Sequence, residues 1–110
     1  MPQRVKIDSS HWIVEKEGDI STLSAAVNLS ASFLSAAKTP LMAVLAVKTK
    51  GVHMTFDGTT TPTSSVGVPF LPGDIVILDE VDEISNCKLI EDETSASVHY
   101  VFYNTSAGGY

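Results

Sequence analysis

Leu41-Met42-Ala43-Val44-Leu45-Ala46-Val47, followed by Lys48-Thr49-Lys50-Gly51 and then Val52-His53-Met54-Thr55-Phe56, is the stretch on which the fold turns. Its first seven residues are apolar without interruption. That pattern suits a strand covered on both faces, or covered on one face by its own domain and on the other by a neighbouring subunit. Lys48 to Gly51 can turn or bulge the chain. Beyond them Val52, Met54 and Phe56 alternate with His53, Thr55 and Asp57, the period of a half-buried strand.

Working back toward the start, residues 24–33 alternate as well. Ser24, Asn28, Ser30 and Ser32 fall on one parity and Ala25, Val27, Leu29, Ala31 and Phe33 on the other, which is strand spacing. An Ala-rich helix over 21–37 competes with it, because Leu23, Val27, Leu34 and Ala37 fall near helical spacing. Residues 5–7 and 11–14 are two short apolar runs that read as strands, and Glu17-Gly18-Asp19 reads as a turn.

Working forward, residues 57–74 form a loop rich in Gly, Thr, Ser and Pro. Its glycines can take positive φ, its prolines fix φ, and its hydroxyls can satisfy loop amides and carbonyls locally. Pro72-Gly73-Asp74 is a tight turn feeding a strand at Ile75-Val76-Ile77-Leu78. Residues 79–83 make an acidic corner, 84–90 read as a strand, and Glu91-Asp92-Glu93 make a second acidic corner. Ala96, Val98, Tyr100 and Phe102 are the alternating face of a closing strand, after which Ser106-Ala107-Gly108-Gly109 should fray. The sum is about seven to nine short strands at roughly ten-residue spacing. The expected fold is all-β: one antiparallel β-sandwich domain over 1–110, jelly-roll-like, with no helix and no internal repeat.

Composition agrees and excludes several functions. The 110 residues are 44% hydrophobic and 18% charged, so a single compact domain is expected, with no disordered acidic tail and no coiled coil. A net charge of −6 repels phosphate backbones and anionic headgroups, and neither nucleic acid nor membrane is an expected partner. No stretch approaches the roughly 18 apolar residues of a membrane span, and no signal peptide follows Met1-Pro2-Gln3-Arg4. The single cysteine, Cys87, cannot close an intrachain disulfide, and a reducing compartment fits it.

Catalytic chemistry finds little support. His11, His53 and His99 are never two or four residues apart, so no strand or helix places a pair of them on one face for a metal. Cupin jelly rolls also place a Pro-Gly-Asp turn before a strand, but their metal site needs two histidines two apart, a pair this chain lacks. Clustered carboxylates at Asp79, Glu80, Asp82 and Glu83 and at Glu91, Asp92 and Glu93 could attract Ca²⁺. They lack the spacing of a calcium loop and read as solvated corners that discourage edge pairing. No serine sits in a Gly-x-Ser-x-Gly elbow, Cys87 has no adjacent histidine, and Asp57-Gly58-Thr59 lacks the lysine of a phosphate loop. Asn28-Leu29-Ser30 and Asn104-Thr105-Ser106 match glycosylation acceptors by chance. No cofactor and no metal are expected.

Residues 52–103 carry a resemblance. A strand runs into Asp57-Gly58-Thr59, Pro62-Thr63 and Gly67. Leu71, Pro72-Gly73-Asp74 and a strand follow, then Leu89-Ile90 and the closing Val98-His99-Tyr100-Val101-Phe102-Tyr103. In this order the elements resemble a group of small virion proteins of tailed bacteriophages and prophages. The resemblance implies a non-enzymatic structural component, such as a head decoration, fibre or connector-region subunit. It implies a location in the virion after synthesis in the host cytoplasm, and it brings no catalytic residues.

The expected mechanism is therefore assembly by surface complementarity with other virion proteins (capsid, portal or tail) and with copies of the chain itself. A trimer is the most plausible homo-oligomer in a virion, covering the apolar run 41–47 or the strand 100–103. The candidate contact residues are Asp57, Gly58, Thr59, Pro62, Thr63, Gly67, Pro72, Gly73 and Asp74 of the long loop, with Trp12, Tyr100 and Tyr103. The alternative is a carbohydrate- or receptor-binding sandwich module in which Trp12, Tyr100, Tyr103 and the Thr-rich loop contact glycans. A cupin-like metal enzyme built on the three histidines ranks third.

Overall fold

A computed structural model of the chain describes residues 12–33 and 40–105. Among the described residues eight strands form two four-stranded sheets: β1 (Trp12–Ile20), β2 (Val27–Asn28), β3 (Met42–Val47), β4 (Val52–Thr55), β5 (Val68–Phe70), β6 (Ile75–Leu78), β7 (Lys88–Glu91) and β8 (Val98–Thr105). The first sheet has the order β1-β8-β3-β6 and the second β2-β7-β4-β5, every pair antiparallel. Strand 1 thus pairs with 8, 2 with 7, 3 with 6 and 4 with 5. These pairs fall alternately on the two sheets, and the β3–β8 and β4–β7 ladders join them within each sheet. An all-β sandwich is what the alternating pattern predicts, and it is what forms.

The alternation decides which side chains go inside. On β8, Val98, Tyr100 and Phe102 are buried, and on β3 Ala43, Leu45 and Val47 are buried beside them. Val52 and Met54 of β4 and Leu89 of β7 close the core from the second sheet. Phe102 is fully buried, stacked on Tyr100 at 4.6 Å between ring centres and met edge-on by Phe33 at 5.3 Å. Aromatic pairs at such separations contribute about 0.5–1.5 kcal/mol beyond the area they bury.

Several local expectations are corrected. Residues 24–33 form neither a strand throughout nor a long helix: β2 is two residues long and passes into a 3-10 turn, Leu29–Ser32. Leu29 and Phe33, four apart, are both buried, and Leu29 N–H donates to Cys87 O at 2.9 Å, so tertiary anchoring overrides the period of two. Residues 84–90 are not one strand. A six-residue helix, α1 (Val81–Asn86), precedes β7, contrary to the expectation of no helix. Ile84 and Cys87, three apart, both point into the core, and Asp82 and Glu83 sit in the first turn, where carboxylates oppose the positive end of the helix dipole.

Glu17-Gly18-Asp19 is not a turn but the middle of β1. Gly18 lies opposite Tyr100, and a Cβ there would approach the tyrosine oxygen to 2.8 Å, so the glycine leaves room for the ring. The loop 57–74 is also more regular than expected, because it contains β5 and an isolated bridge between Thr63 and Val66. The apolar run 5–7 and the fraying tail at 106–109 lie outside the described residues.

Candidate assembly surface

The side of β3 and β8 that does not face the core decides what the first sheet offers to other molecules. Register places Val44 between Ile77 of β6 and Val101 of β8, with Glu17 of β1 beyond. In the next row Ala46 lies between Ile75 and His99, with Asp19 beyond. Toward the other end, Tyr103 lies beside Val14. Val14, Ile75 and Ile77 are 54%, 58% and 45% exposed, while Val44, Ala46, Val101 and Tyr103 are half-buried. The outer face of the first sheet is thus apolar from β6 across to Tyr103 and Val14, with its charges confined to one corner. Contiguous exposed apolar surface of this kind marks interaction sites.

That corner is a built cluster. His99 lies between two carboxylates, its Nδ1 2.7 Å from Asp19 Oδ1 and its Nε2 2.7 Å from Glu17 Oε2. Both bonds can form at once only when both ring nitrogens carry a proton and donate. The two carboxylates accordingly raise the His99 pKa above its ordinary value, hydrogen bonding to Glu17 first and to Asp19 second. Asp19 is held below the usual carboxylate value, chiefly by the bond from His99 and also by the Lys48 ammonium 3.4 Å away.

The outer face of the second sheet differs. His53 pairs there with Asp92, alongside Pro69 of β5 and Ile90 of β7. No group of three or more His, Cys, Asp or Glu side chains is arranged to hold a metal ion among the described residues. His11 lies outside them. Cys87 is fully buried, and burial pushes its thiol up to about 12, so it stays protonated and unreactive.

The motif residues of the long loop shape the chain. Asp57 Oδ1 accepts from Thr59 N–H at 2.9 Å and from Thr60 N–H at 2.8 Å, and Oδ2 accepts from the Thr60 hydroxyl at 2.6 Å. These donors pull the Asp57 carboxyl far below the usual range. Gly58 takes φ +80° beside Asn86, Pro62 is buried, and Thr63 forms the bridge to Val66. Gly67, at φ +120°, passes so close to Met54 O that a Cβ would sit 2.9 Å from it.

Pro72 and Gly73 are the central residues of a turn closed by Asp74 N–H to Leu71 O at 2.9 Å, and Asp74 Oδ2 accepts from Leu71 N–H at 2.7 Å. Gly73 at φ +96° and Asp74 then share Val47 as partner, a glycine bulge that starts β6. An open cleft of about 430 Å³ lies beside this loop, lined by Met54, Phe56, Asp57, Val66, Gly67 and Val68 among others.

The three aromatic candidates separate. Tyr100 is 6% exposed and faces the core, Tyr103 lies on the outer face, and Trp12 sits half-buried at the start of β1 on the same parity as Val14. The outward Ile75 and Ile77 were not among the candidates, although the alternation within Ile75-Val76-Ile77-Leu78 allows only two of its four side chains to face inward. No helix among the described residues is long and apolar enough to cross a membrane. The chain matches no protein-family model, no curated protein and no solved structure.

Proposed function

We propose that the chain is a non-enzymatic structural subunit of a bacteriophage virion, a head decoration, fibre or connector-region protein that works by assembling with copies of itself and with other virion proteins. The observation that carries the assembly reading is the apolar outer face of the first sheet. Its central residues Val44 and Val101 are flanked by Ile77, an arrangement that lowers its free energy when another chain covers it. The virion setting rests on the order of motifs from Asp57-Gly58-Thr59 to Val98-His99-Tyr100-Val101-Phe102-Tyr103.

The fold is read as a jelly roll. That reading is supported by the pairing of strands 1 with 8, 2 with 7, 3 with 6 and 4 with 5, the path of a rolled antiparallel ribbon. Jelly rolls serve capsid proteins, lectins and cupins alike, so the fold does not choose the function. Tyr100, a candidate contact in both the assembly and the glycan-binding readings, faces the core and serves neither.

Light scattering at micromolar concentration tests the reading. A discrete oligomer is expected, trimeric in a virion setting, that falls to monomer in Val101→Lys while the thermal transition stays cooperative. A monomeric wild-type protein, or an oligomer indifferent to both Val101→Lys and Val44→Lys, contradicts it.

A further inference from the structure

The two sheets leave four strands at their edges, and three of them carry features that blunt an edge. β1 has a register break between Val14 and Lys16 and carries Glu15, Lys16, Glu17 and Asp19. β2 is two residues long, and β5 holds Pro69 at the middle of its three. Charges, bulges, prolines and short length are the means by which sheet edges avoid pairing with other chains. β6 is itself four residues long, but none of the four is charged, bulged or a proline, and among the described residues it pairs on one side only, with β3.

The hydrogen-bond phase shows what this edge presents. Val47 N–H donates to Asp74 O at 3.0 Å and Gly73 N–H to Val47 O at 2.8 Å, so the Val47 position is a bonded one. Bonded and non-bonded pairs alternate along an antiparallel ladder. Val76 and Leu78 therefore direct their backbone groups to β3, and Ile75 and Ile77 direct theirs outward, where their side chains also extend the apolar face.

Resting on the assembly reading, we propose that β6 is a strand-addition site. It takes an extended segment of another chain, apolar or β-branched in its middle and carrying Lys or Arg at its ends. Charge chooses this occupant over a second copy. β6 is bracketed by Asp74 on one side and by Asp79 and Glu80 on the other. A two-fold pairing of β6 with itself centred on Ile77 sets Asp74 opposite Glu80 of the second copy. Centred on Val76, it sets Asp79 opposite Gly73, next to Asp74. Like charges facing each other across a ladder are unfavourable, whereas a basic-ended strand meets a carboxylate at each end. Main-chain bonds to Ile75 and Ile77 would supply affinity, and the charged ends would supply direction and selectivity.

The test measures amide exchange on the full chain mixed with the capped peptide Arg-Val-Thr-Val-Thr-Arg, and separately with its Glu-ended counterpart. With the basic peptide at about ten times its dissociation constant, exchange at Ile75 and Ile77 is expected to slow about tenfold, with little change at β1. The Glu-ended peptide should leave the rates unchanged. Ile77→Pro, which removes an edge donor that β3 does not use, should abolish the effect, as should methylating the backbone nitrogens of the peptide if that variant fails to fold.

Equal protection by both peptides overturns the proposal, as does protection of Ile75 and Ile77 in the monomeric chain without peptide. Sedimentation of the same samples separates the two claims. An oligomer whose Ile75 and Ile77 amides are already protected by a second copy overturns strand addition but leaves assembly standing. A monomer that still binds the basic peptide fails the self-assembly reading alone.

Discussion

The two margins of the first sheet, β1 and β6, are built from the same alternation to opposite effect. β1 carries Glu17 and Asp19, which clasp His99, at two outward positions beyond Val14, and its register breaks between Val14 and Lys16. β6 spends its outward positions on Ile75 and Ile77 and breaks register only at its entrance, at Gly73. Inward, the margins are alike: Ile20 packs against the core from β1, and Val76 and Leu78 are buried in it from β6. The difference is therefore unrelated to holding the sandwich together. It separates a margin that carries charge on its outer face from one whose exposed side chains are apolar and which, among the described residues, pairs on one side only, the margin at which we propose that another chain adds.

Phe102→Ala removes the ring against which Tyr100 and Phe33 pack, and it should destabilise the fold by about 3–5 kcal/mol, shifting the denaturant midpoint and loosening both margins together. Gly73→Ala acts at β6 alone. No atom lies within 4 Å of the added Cβ, so its cost comes only from φ +96°, about 1–2 kcal/mol in chemical denaturation, with faster amide exchange along β6 than along β1.

At the β1 margin the lever is pH. His99 is raised, so the stability it contributes is fully present below its ordinary 6.5 and is lost as pH rises through its elevated folded value. Asp19 is lowered, so its contribution is present above 3.8 and is lost as pH falls through its depressed folded value. The cluster supports the fold most between those limits. Melting temperature followed from pH 4 to pH 9 should decline less on the alkaline side in His99→Gln than in the wild type. The smallest effect on stability belongs to Ile77→Lys, within about 0.5 kcal/mol because the side chain already faces solvent, although the same substitution should remove self-association.

Much of this was legible from residue spacing. The period of two at Val98, Tyr100 and Phe102, and the apolar run from Met42 to Val47, predict the two central strands of the first sheet, and both form. The Pro72-Gly73-Asp74 turn was equally plain, because proline and glycine specify its two central conformations. What escaped was tertiary. Gly18 reads as a turn until Tyr100 is seen to lie over it from a residue 82 positions away. Ile84 and Cys87 read as strand until their spacing of three meets the buried Leu29. The outer face could not be read from either strand alone, because it depends on Ile77, Val44 and Val101 lying in one row, and pairing register is not written in any one segment.

The most direct test of assembly through the apolar outer face of the first sheet, to which Ile77 belongs, is sedimentation velocity of three proteins over a rising micromolar series: the wild type, Ile77→Lys and Glu15→Lys. The wild type is expected to form an oligomer that Ile77→Lys dissociates and Glu15→Lys leaves intact. A wild-type monomer throughout the series, or equal loss of association in both variants, would contradict it.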